Sequence, residues 1–477
     1  MATAVATPPL YVQIAEKLMQ QMGRGALRPG DRVLSIRDLS RQQRVSISTA
    51  LQAYLWLESR GYLEARPQSG FYVRTPFSSL IPEPHFESAK MQTAAVGTKG
   101  ILADIIESAK NSTTVPFGAG TASPELYPNR RLNLILRRIV HRHPDHSARY
   151  VFPPGMEPVR RQIARRAISM GCTLSPADVT VTCGALEAIS LAIRAVARPG
   201  DVIALESPTY FGILQNVGSM GMTVIEIPTH PQEGMDLNEL DRAIRKHHVK
   251  ACIVMTNCHN PLGYVLPDKY KRELAELTAR RNVALIEDEI YGDLAYTGSR
   301  PRCVKAFDRS GNVILCSSFS KILSPGYRLG WMSAGRYRAE VERLKLVTTV
   351  SAPALPQMVV AEFLETGGYD RHLKRLRSTL RLQVEGIRQA ISKYFPEGTR
   401  ISRPAGGYML WVELPGRFNA VKLYHAALAN NISILPGTIF SATGRYRNYI
   451  RINCGHTWSD VHDRALLTLG RLCERIR

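Results

Sequence analysis

The stretch Ser318-Phe319-Ser320-Lys321-Ile322-Leu323-Ser324-Pro325-Gly326-Tyr327-Arg328 decides the fold of most of this 477-residue chain. It combines an amine, flanking hydroxyls, a glycine-containing turn and a guanidinium. A lysine in this setting can form a Schiff base with an aldehyde cofactor while Ser318, Ser320 and Arg328 hold the cofactor's phosphate. Pyridoxal 5'-phosphate (PLP) is the cofactor whose hosts need such a lysine, an acidic partner for the ring nitrogen and a phosphate cup. A lysine and an arginine at this spacing are usually solvated charge, so the interpretation depends on the rest of the chain.

The acidic partner is predicted to be Asp288. Four apolar residues, 283–286, come shortly before it and predict a buried strand that ends at the acid. Open α/β sheets bind their ligands at the carboxyl ends of strands. A carboxylate at this position would favour the protonated form of a pyridine nitrogen, and Tyr291 is expected to reach the phenolic oxygen of the same ring. The alternative for Asp288 is a strand-end acid that caps the next helix.

Three more strand ends carry candidate cofactor ligands. Asn260 lies in the Asn-Pro-x-Gly turn after an apolar strand and is expected to donate to the phenolic oxygen. Tyr210 follows the strand over 202–205 and is expected to stack on the ring. Where the chain passes from strand into helix, Gly184, Ala185 and Leu186 offer backbone N–H groups to an anion.

In chain order, these motifs resemble the class I aminotransferase group of fold-type I PLP enzymes, from about residue 115 to the C-terminus. The resemblance implies an α/β domain over 115–477, with a mostly parallel sheet between helices and a smaller α+β subdomain at about 365–477. It also implies that Tyr150 reaches the phosphate of a neighbouring subunit in a homodimer, and that Arg451 binds the α-carboxylate of an amino acid. The chain departs from many relatives at Leu186, where they carry a hydroxyl or amide side chain.

The front of the chain, residues 8–75, has a different character. Apolar spacing, capping serines and turn residues predict a winged helix-turn-helix. The predicted elements are helices over 11–21, 35–42 (capped by Ser35) and 46–60 (capped by Ser46 or Ser48), then strands over 61–65 and 70–74. The apolar side chains expected in its small core include Leu51, Tyr54, Leu55 and Leu57.

This module resembles the GntR winged-helix group, for example in Leu27-Arg28-Pro29-Gly30-Asp31 and Val45-Ser46-Ile47-Ser48. Through residue 75 there are ten Lys and Arg against five Asp and Glu, and a basic surface supplies the sequence-independent part of DNA affinity. Relatives often have Arg where this chain has Ile47, which is expected to alter base preference. The residues expected to touch double-stranded DNA are Arg37, Arg44, Ser46, Ser48, Thr49, Arg66 and Gln68.

Composition limits the remaining choices. The net charge of +22 favours an anionic partner, although much of it lies outside the first 75 residues. Eight scattered cysteines predict no metal site and no disulfide framework. Neither a secretion signal nor a membrane span is evident, and the expected compartment is the cytoplasm. Residues 76–114, rich in proline at their start, are expected to be a linker.

A GntR-like module joined to an aminotransferase-like domain resembles the MocR group of bacterial transcription regulators. The leading hypothesis is a dimeric DNA-binding regulator that holds PLP on Lys321 and senses a small amino compound. The first alternative is a working aminotransferase with an accessory DNA-binding domain, in which Lys321, Asp288 and Tyr291 are catalytic. The second is a PLP sensor that needs no amino compound.

Overall fold

The computed structural model describes residues 9–23, 26–27, 30–59, 62–66, 69–73, 81–86, 91–96 and 113–476. The chain separates into two compact units: residues 1–81 with residues 385–393, and residues 82–384 with residues 394–477. No helix in these described ranges is long and apolar enough to cross a membrane.

The N-terminal unit is a winged helix-turn-helix, as predicted. It contains α1 (Leu10–Gly23), α2 (Ile36–Gln43), α3 (Ile47–Ser59) and an antiparallel hairpin of β1 (Leu63–Arg66) and β2 (Gly70–Val73). Ser35 caps α2 by accepting a hydrogen bond from the backbone N–H of Asp38 at 3.2 Å. Ser46 rather than Ser48 caps α3, since its Oγ accepts from the backbone N–H of Thr49 at 3.1 Å.

The small core of this unit differs from the prediction at two positions. Tyr54 and Leu57 are fully buried, but Leu51 is half-buried outside the core cluster, and Leu55 is 47% exposed. Helix α3 buries Ala50, Ala53, Tyr54 and Leu57, which follow the i, i+3, i+4, i+7 spacing of one face. Leu51 and Leu55 lie outside this face, so placing them in the core was wrong.

The larger unit is an α/β fold with a mostly parallel sheet, as predicted. Its strand order is β3-β7-β6-β9-β10-β11-β12-β5, and β8 pairs with β7. Among the described strands of this sheet, β3, β8 and β12 run in the direction opposite to the others. The strands are β3 (Thr93–Ala95), β5 (Thr180–Thr182), β6 (Val202–Ser207), β7 (Thr223–His230), β8 (Gly234–Met235), β9 (Ala251–Val254), β10 (Ala284–Asp288), β11 (Val313–Ser318) and β12 (Gly330–Ser333).

Both faces of this sheet are covered by helices. The helices in this part of the chain are α4 (Asn129–Arg142), α5 (Glu157–Ala167), α6 (Ala185–Val196), α7 (Phe211–Ser219), α8 (Leu237–His247), α9 (Asp268–Arg280) and α10 (Arg338–Thr349). In β9, Ile253 joins the core under α6, α7 and α10, whereas Cys252 and Val254 join the core under α8 and α9. This alternation along continuously apolar strands is typical of a sheet buried on both sides.

The C-terminal part forms the smaller subdomain. Its antiparallel sheet has the order β13-β14-β17-β16, and β15 pairs in parallel with β4. The elements are β4 (Val115–Pro116), α11 (Ala354–Glu365), α12 (Gly368–Tyr394), β13 (Arg400–Ile401), β14 (Met409–Glu413), α13 (Ala420–Leu428), β15 (Ile432–Ser433), β16 (Leu435–Pro436), β17 (Tyr449–Asn453) and α14 (Asp460–Ile476).

Two pieces of the expected linker are attached to the larger unit. Residues 93–95 form the edge strand β3 against β7. Residues 82–86, called the strap below, bind the small sheet: the backbone N–H of Ile401 donates to the carbonyl of Pro82 at 2.9 Å. A helix considered for residues 101–110 lies outside the described residues.

Candidate cofactor and DNA-binding sites

The predicted cofactor residues follow strands that end at one edge of the large sheet. Strands β6, β9, β10 and β11 are parallel, and β5 runs the same way because β12 is antiparallel to both β11 and β5. The carboxyl ends of these five strands therefore meet at a single edge. In chain order, they lead into Gly184, Tyr210, Asn260, Asp288 and the Ser318–Lys321 run.

Lys321 lies among charged groups at this edge. Its Nζ donates a hydrogen bond to the carbonyl of Gly120 at 2.8 Å. Burial lowers the pKa of Lys321 to about 8, with Arg451 and Arg328 acting in the same direction and Asp288 opposing them. A neutral amine is thus available close to neutral pH, as attack on an aldehyde requires.

Asp288 presents a free carboxylate oxygen. Its Oδ1 is buried without a hydrogen-bond partner among the described residues. Burial raises the pKa of Asp288 to about 7, helped by Glu289 and Glu206 and opposed by Lys321. An additional cation against Oδ1 would favour the ionised carboxylate, so the position fits a protonated ring nitrogen. Asp288 ends β10, and the strand-end cap considered as an alternative does not use this oxygen.

Two tyrosines and an asparagine surround the same space. Asn260 is buried, and its Oδ1 likewise has no partner in the described part of the chain. Tyr291 is buried with its ring 5.6 Å from that of Tyr408, edge to face. Burial raises the pKa of Tyr210, on which Arg451 and Asp288 exert opposing effects, so its hydroxyl lies within electrostatic reach of both.

The residues predicted to bind the cofactor's phosphate lie together and form a cradle. Gly184 has φ +98°, and a Cβ added there would lie 2.5 Å from Nη2 of Arg328. That Nη2 donates to the carbonyl of Cys183 at 3.0 Å. Ser320 Oγ is buried and lacks a partner within the described ranges. Ser318 Oγ accepts from the backbone N–H of Ser320 at 3.4 Å. A guanidinium, a hydroxyl and the N-terminus of α6 (whose first residue is Ala185) suit a dianionic phosphate.

The side chain of Leu186, where the chain departs from many relatives, does not suit a ligand role. Its side chain is 42% exposed on the first turn of α6. Phosphate contacts at this position would therefore come from the backbone.

Arg451 projects from β17, and two of its three guanidinium nitrogens have no hydrogen-bond partner among the described residues. Nη2 donates to the carbonyls of Gly118 and Ala119 at 2.7 and 2.8 Å. Nε and Nη1 are buried and have no partner among the residues that the structure describes. A buried cation with free N–H groups favours the binding of an anion such as a carboxylate.

Sequence reasoning missed a segment that closes the site. Backbone carbonyls of Gly118, Ala119 and Gly120 accept hydrogen bonds from Arg451, Lys321 and, at 3.2 Å, the hydroxyl of Tyr408. Since these contacts use carbonyl groups, the side chains gave no signal beyond the two glycines. Tyr408 follows the pair Gly406-Gly407 and had no motif to mark it.

Tyr150 is not at the cofactor edge of its own chain. It is 73% exposed beside Phe152, which is 58% exposed, and their rings are 5.9 Å apart. The next backbone N–H, that of Val151, donates to Ser351 Oγ at 2.9 Å. Leu186, Val347 and Val350 are also exposed, so large apolar side chains surround this end of the phosphate cradle.

The predicted DNA contacts lie on the winged helix. Arg37, Arg44, Ser46 and Ser48 are exposed, and Thr49 is half-buried. Ser46 Oγ is 2.8 Å from both Ser48 Oγ and Thr49 Oγ1, which groups three hydroxyls at the start of α3. The side chain of Arg66 and all of Gln68 lie outside the described residues.

Two family models match this chain. The model described as bacterial regulatory proteins, gntR family, matches residues 10–73. The model described as aminotransferase class I and II matches residues 129–465. The chain belongs to the MocR-like regulators. These proteins join a GntR-type helix-turn-helix domain, which binds DNA, to an aminotransferase domain that binds small molecules.

Full-length relatives support the same assignment. The uncharacterized HTH-type transcriptional regulator YdcR of Escherichia coli K12 is 37% identical, over 97% of this chain and 99% of its own length. YjiR of the same organism is 35% identical over 98% and 99%. MocR-like architecture therefore extends along the chain as a whole.

Solved structures match the aminotransferase domain. The multiple substrate aminotransferase of Thermococcus profundus is 25% identical with a TM-score of 0.73, covering 80% of this chain and 96% of that one. The same figures hold for LysN, the α-aminoadipate aminotransferase of Thermus thermophilus, in complex with N-(5'-phosphopyridoxyl)-L-leucine. Aminotransferases of this fold are in general PLP-dependent.

Proposed function

We propose that this MocR-like protein is a transcription regulator whose aminotransferase-like domain holds PLP through Lys321 and senses a small amino compound. The supporting observation is a set of buried polar atoms without partners in the described structure: Asp288 Oδ1, Ser320 Oγ, and Nε and Nη1 of Arg451. Unpaired buried polar atoms are costly, and several of them around one lysine indicate a bound polar ligand.

Each group has a proposed task. PLP, when bound, supplies an electrophilic aldehyde and an electron-withdrawing ring. Lys321 provides the amine that bonds to it, and Asp288 holds a proton on the ring nitrogen. Asn260 and Tyr291 bind the phenolic oxygen, and Tyr210 stacks on the ring. The phosphate is held by backbone N–H groups of Gly184, Ala185 and Leu186 and by the side chains of Ser318, Ser320 and Arg328.

Arg451 gives the site its preference for amino acids. Its free N–H groups would bind the carboxylate of an amino compound held beside Lys321. The LysN complex, with a leucine joined to a pyridoxyl phosphate, is a precedent for this class of ligand on the fold. The compound alters DNA binding only if it has different affinities for two arrangements of the protein.

We further propose a homodimer with Tyr150 reaching the phosphate of the partner subunit. The exposed apolar side chains around the phosphate cradle support an interface at this position. Two winged helices related by a dyad would bind paired half-sites on DNA. The protein would act in the bacterial cytoplasm, where the DNA is. The domain limits that we propose remain 8–75, 76–114 and 115–477.

A DNA-binding titration tests the regulator. PLP-loaded protein is titrated onto a duplex selected from a random library, with and without a panel of amino acids and amines. We expect at least one amino acid to change both the visible absorbance and the DNA affinity. Absorbance changes with no effect on DNA affinity for any compound would contradict the regulatory role.

The rival function is transamination, favoured by the presence of Lys321, Asp288 and Tyr291 together at one edge of the sheet. It predicts repeated conversion of an added 2-oxo acid to the amino acid at the expense of a second amino acid. The regulator predicts at most a single turnover per site. A protein that only senses PLP would respond to PLP itself but to no amino compound, and Lys321→Ala would abolish that response.

A further inference from the structure

A second cavity lies beneath the strap, outside the proposed cofactor site. Its volume is about 310 Å³, and its walls come from the strap, the strand ends of the large sheet and the small subdomain. Small-molecule pockets typically measure about 300–1,000 Å³, so this cavity lies at the small end of that range. Its size suits a small ligand such as a single amino acid.

The strap that covers this cavity is held by specific contacts. The backbone N–H of His85 donates to Glu413 Oε2 at 2.8 Å, and His85 Nδ1 lies 2.8 Å from Glu413 Oε1. Arg400 Nη1 donates to the carbonyl of Glu83 at 3.2 Å. The ring of Phe86 meets that of His230 at 5.1 Å. The cavity is therefore a built feature of the larger unit.

The inner wall offers apolar and aromatic surface. Tyr264, Trp411 and Tyr446 are buried there, together with half-buried Leu262. Polar atoms on the wall are already paired: Tyr264 donates to Glu206 at 2.5 Å, and the hydroxyls of Ser207 and Tyr446 are 3.0 Å apart. A ligand body with no hydrogen-bonding groups suits such a wall.

The mouth of the cavity carries opposite charges. Glu83 and Arg403 both line it and are exposed, and neither side chain makes an ion pair within the described ranges. An ammonium and a carboxylate on one small molecule would satisfy both. We propose that this cavity binds an α-amino acid with an apolar or aromatic side chain, at a site separate from Lys321.

Binding there has a consequence for the strap. Since residues 83–86 form part of the wall, the ligand binds only while the strap is docked, and so it stabilises docking by mass action. Amide hydrogen exchange of residues 83, 85 and 86 should slow when the cavity is filled.

The test uses cofactor-free full-length Lys321→Ala, in which no aldehyde is present to react with an amino acid, titrated with L-phenylalanine by calorimetry. We expect saturable binding that Arg403→Gln and Glu83→Gln each weaken about fivefold, the effect of one exposed ion pair. The exposed Arg417, which does not line the cavity, supplies the matched control Arg417→Gln, with no change expected. With 3-phenylpropionate, which lacks the amino group, only Arg403→Gln should matter.

Two results would overturn this proposal: no saturable heat from the Lys321→Ala protein, or equal affinities in the Arg403→Gln, Glu83→Gln and parent proteins. Circular dichroism of each variant checks the fold, which changes at exposed side chains should preserve. Because the protein used is free of cofactor and lacks Lys321, the heat does not depend on PLP. Failure of the cofactor proposal would appear instead as an absent visible band in the wild-type protein.

Discussion

Replacing Arg451 by lysine tests how the cofactor site selects its ligand. The guanidinium uses Nη2 to bind two backbone carbonyls at 2.7 and 2.8 Å and keeps Nε and Nη1 free. A lysine has one nitrogen, which can serve the carbonyls or a ligand carboxylate but cannot reproduce both contacts. The variant should therefore lose one charge-assisted pair in a buried setting.

The size of the effect follows from that loss. A hydrogen bond to a charged group contributes about 1.5–3 kcal/mol, which corresponds to about a ten- to hundredfold higher half-saturation for an amino acid. The assay follows the visible absorbance of PLP-loaded protein during titration with the amino acid. A simple alkylamine, which has no carboxylate, should titrate the wild type and Arg451→Lys alike.

The test depends on comparing the half-saturation of the amino acid with that of the alkylamine. The matched control is Arg417→Lys, a change of the same chemistry at an exposed position, for which no shift is expected. An equal shift for amino acid and alkylamine would mean that Arg451 supports the site without binding the carboxylate. No shift for either ligand would mean that Arg451 is not part of the ligand-binding site.

Three other changes probe the cradle, the lysine and the interface. Gly184→Ala should weaken PLP binding at least tenfold in a fluorescence titration, because a Cβ at φ +98° would lie 2.5 Å from Arg328 Nη2. The rate of PLP uptake should rise with pH and level off above about 8, the lowered pKa of Lys321. In the unfolded chain, Lys321 keeps its proton up to its ordinary pKa of 10.5, whereas in the folded protein it loses the proton at about pH 8. The free energy of unfolding of cofactor-free protein should therefore increase between about pH 8 and 10.5, and denaturant titration measures this increase. Val347→Glu places a charge on a side chain that is 66% exposed in one chain and should shift the protein to monomer in sedimentation experiments; PLP affinity should fall with it if Tyr150 acts across the dimer.

Much of the fold was predictable because its signals are local. Apolar runs such as 283–286 end at polar residues, and this pattern predicts both the buried strands and the edge where the candidate side chains meet. Ser35 and Ser46 predicted helix starts because capping depends on one side chain and a backbone N–H three residues later. The α/β class and the winged helix were confirmed for these reasons.

The features that escaped prediction depend on contacts between distant parts of the chain. The carbonyls of residues 118–120 contact Lys321 and Arg451 only after the two subdomains fold together. Every residue has the same backbone carbonyl, so the sequence does not mark these three. The strap is fixed by Glu413, more than 300 residues away, and its prolines predicted a tether instead. Leu55 was misplaced because composition alone does not assign the buried face of a short helix with apolar residues on several sides.

Peptide mapping after borohydride reduction tests the central claim most directly. Full-length protein is loaded with PLP, reduced, digested and analysed by mass spectrometry, with Lys321→Ala as the control. The account predicts a PLP-derived mass on the peptide that contains Lys321, and no such mass in the control. An unmodified Lys321 peptide from protein that retains PLP, or modification at a different lysine, would contradict it.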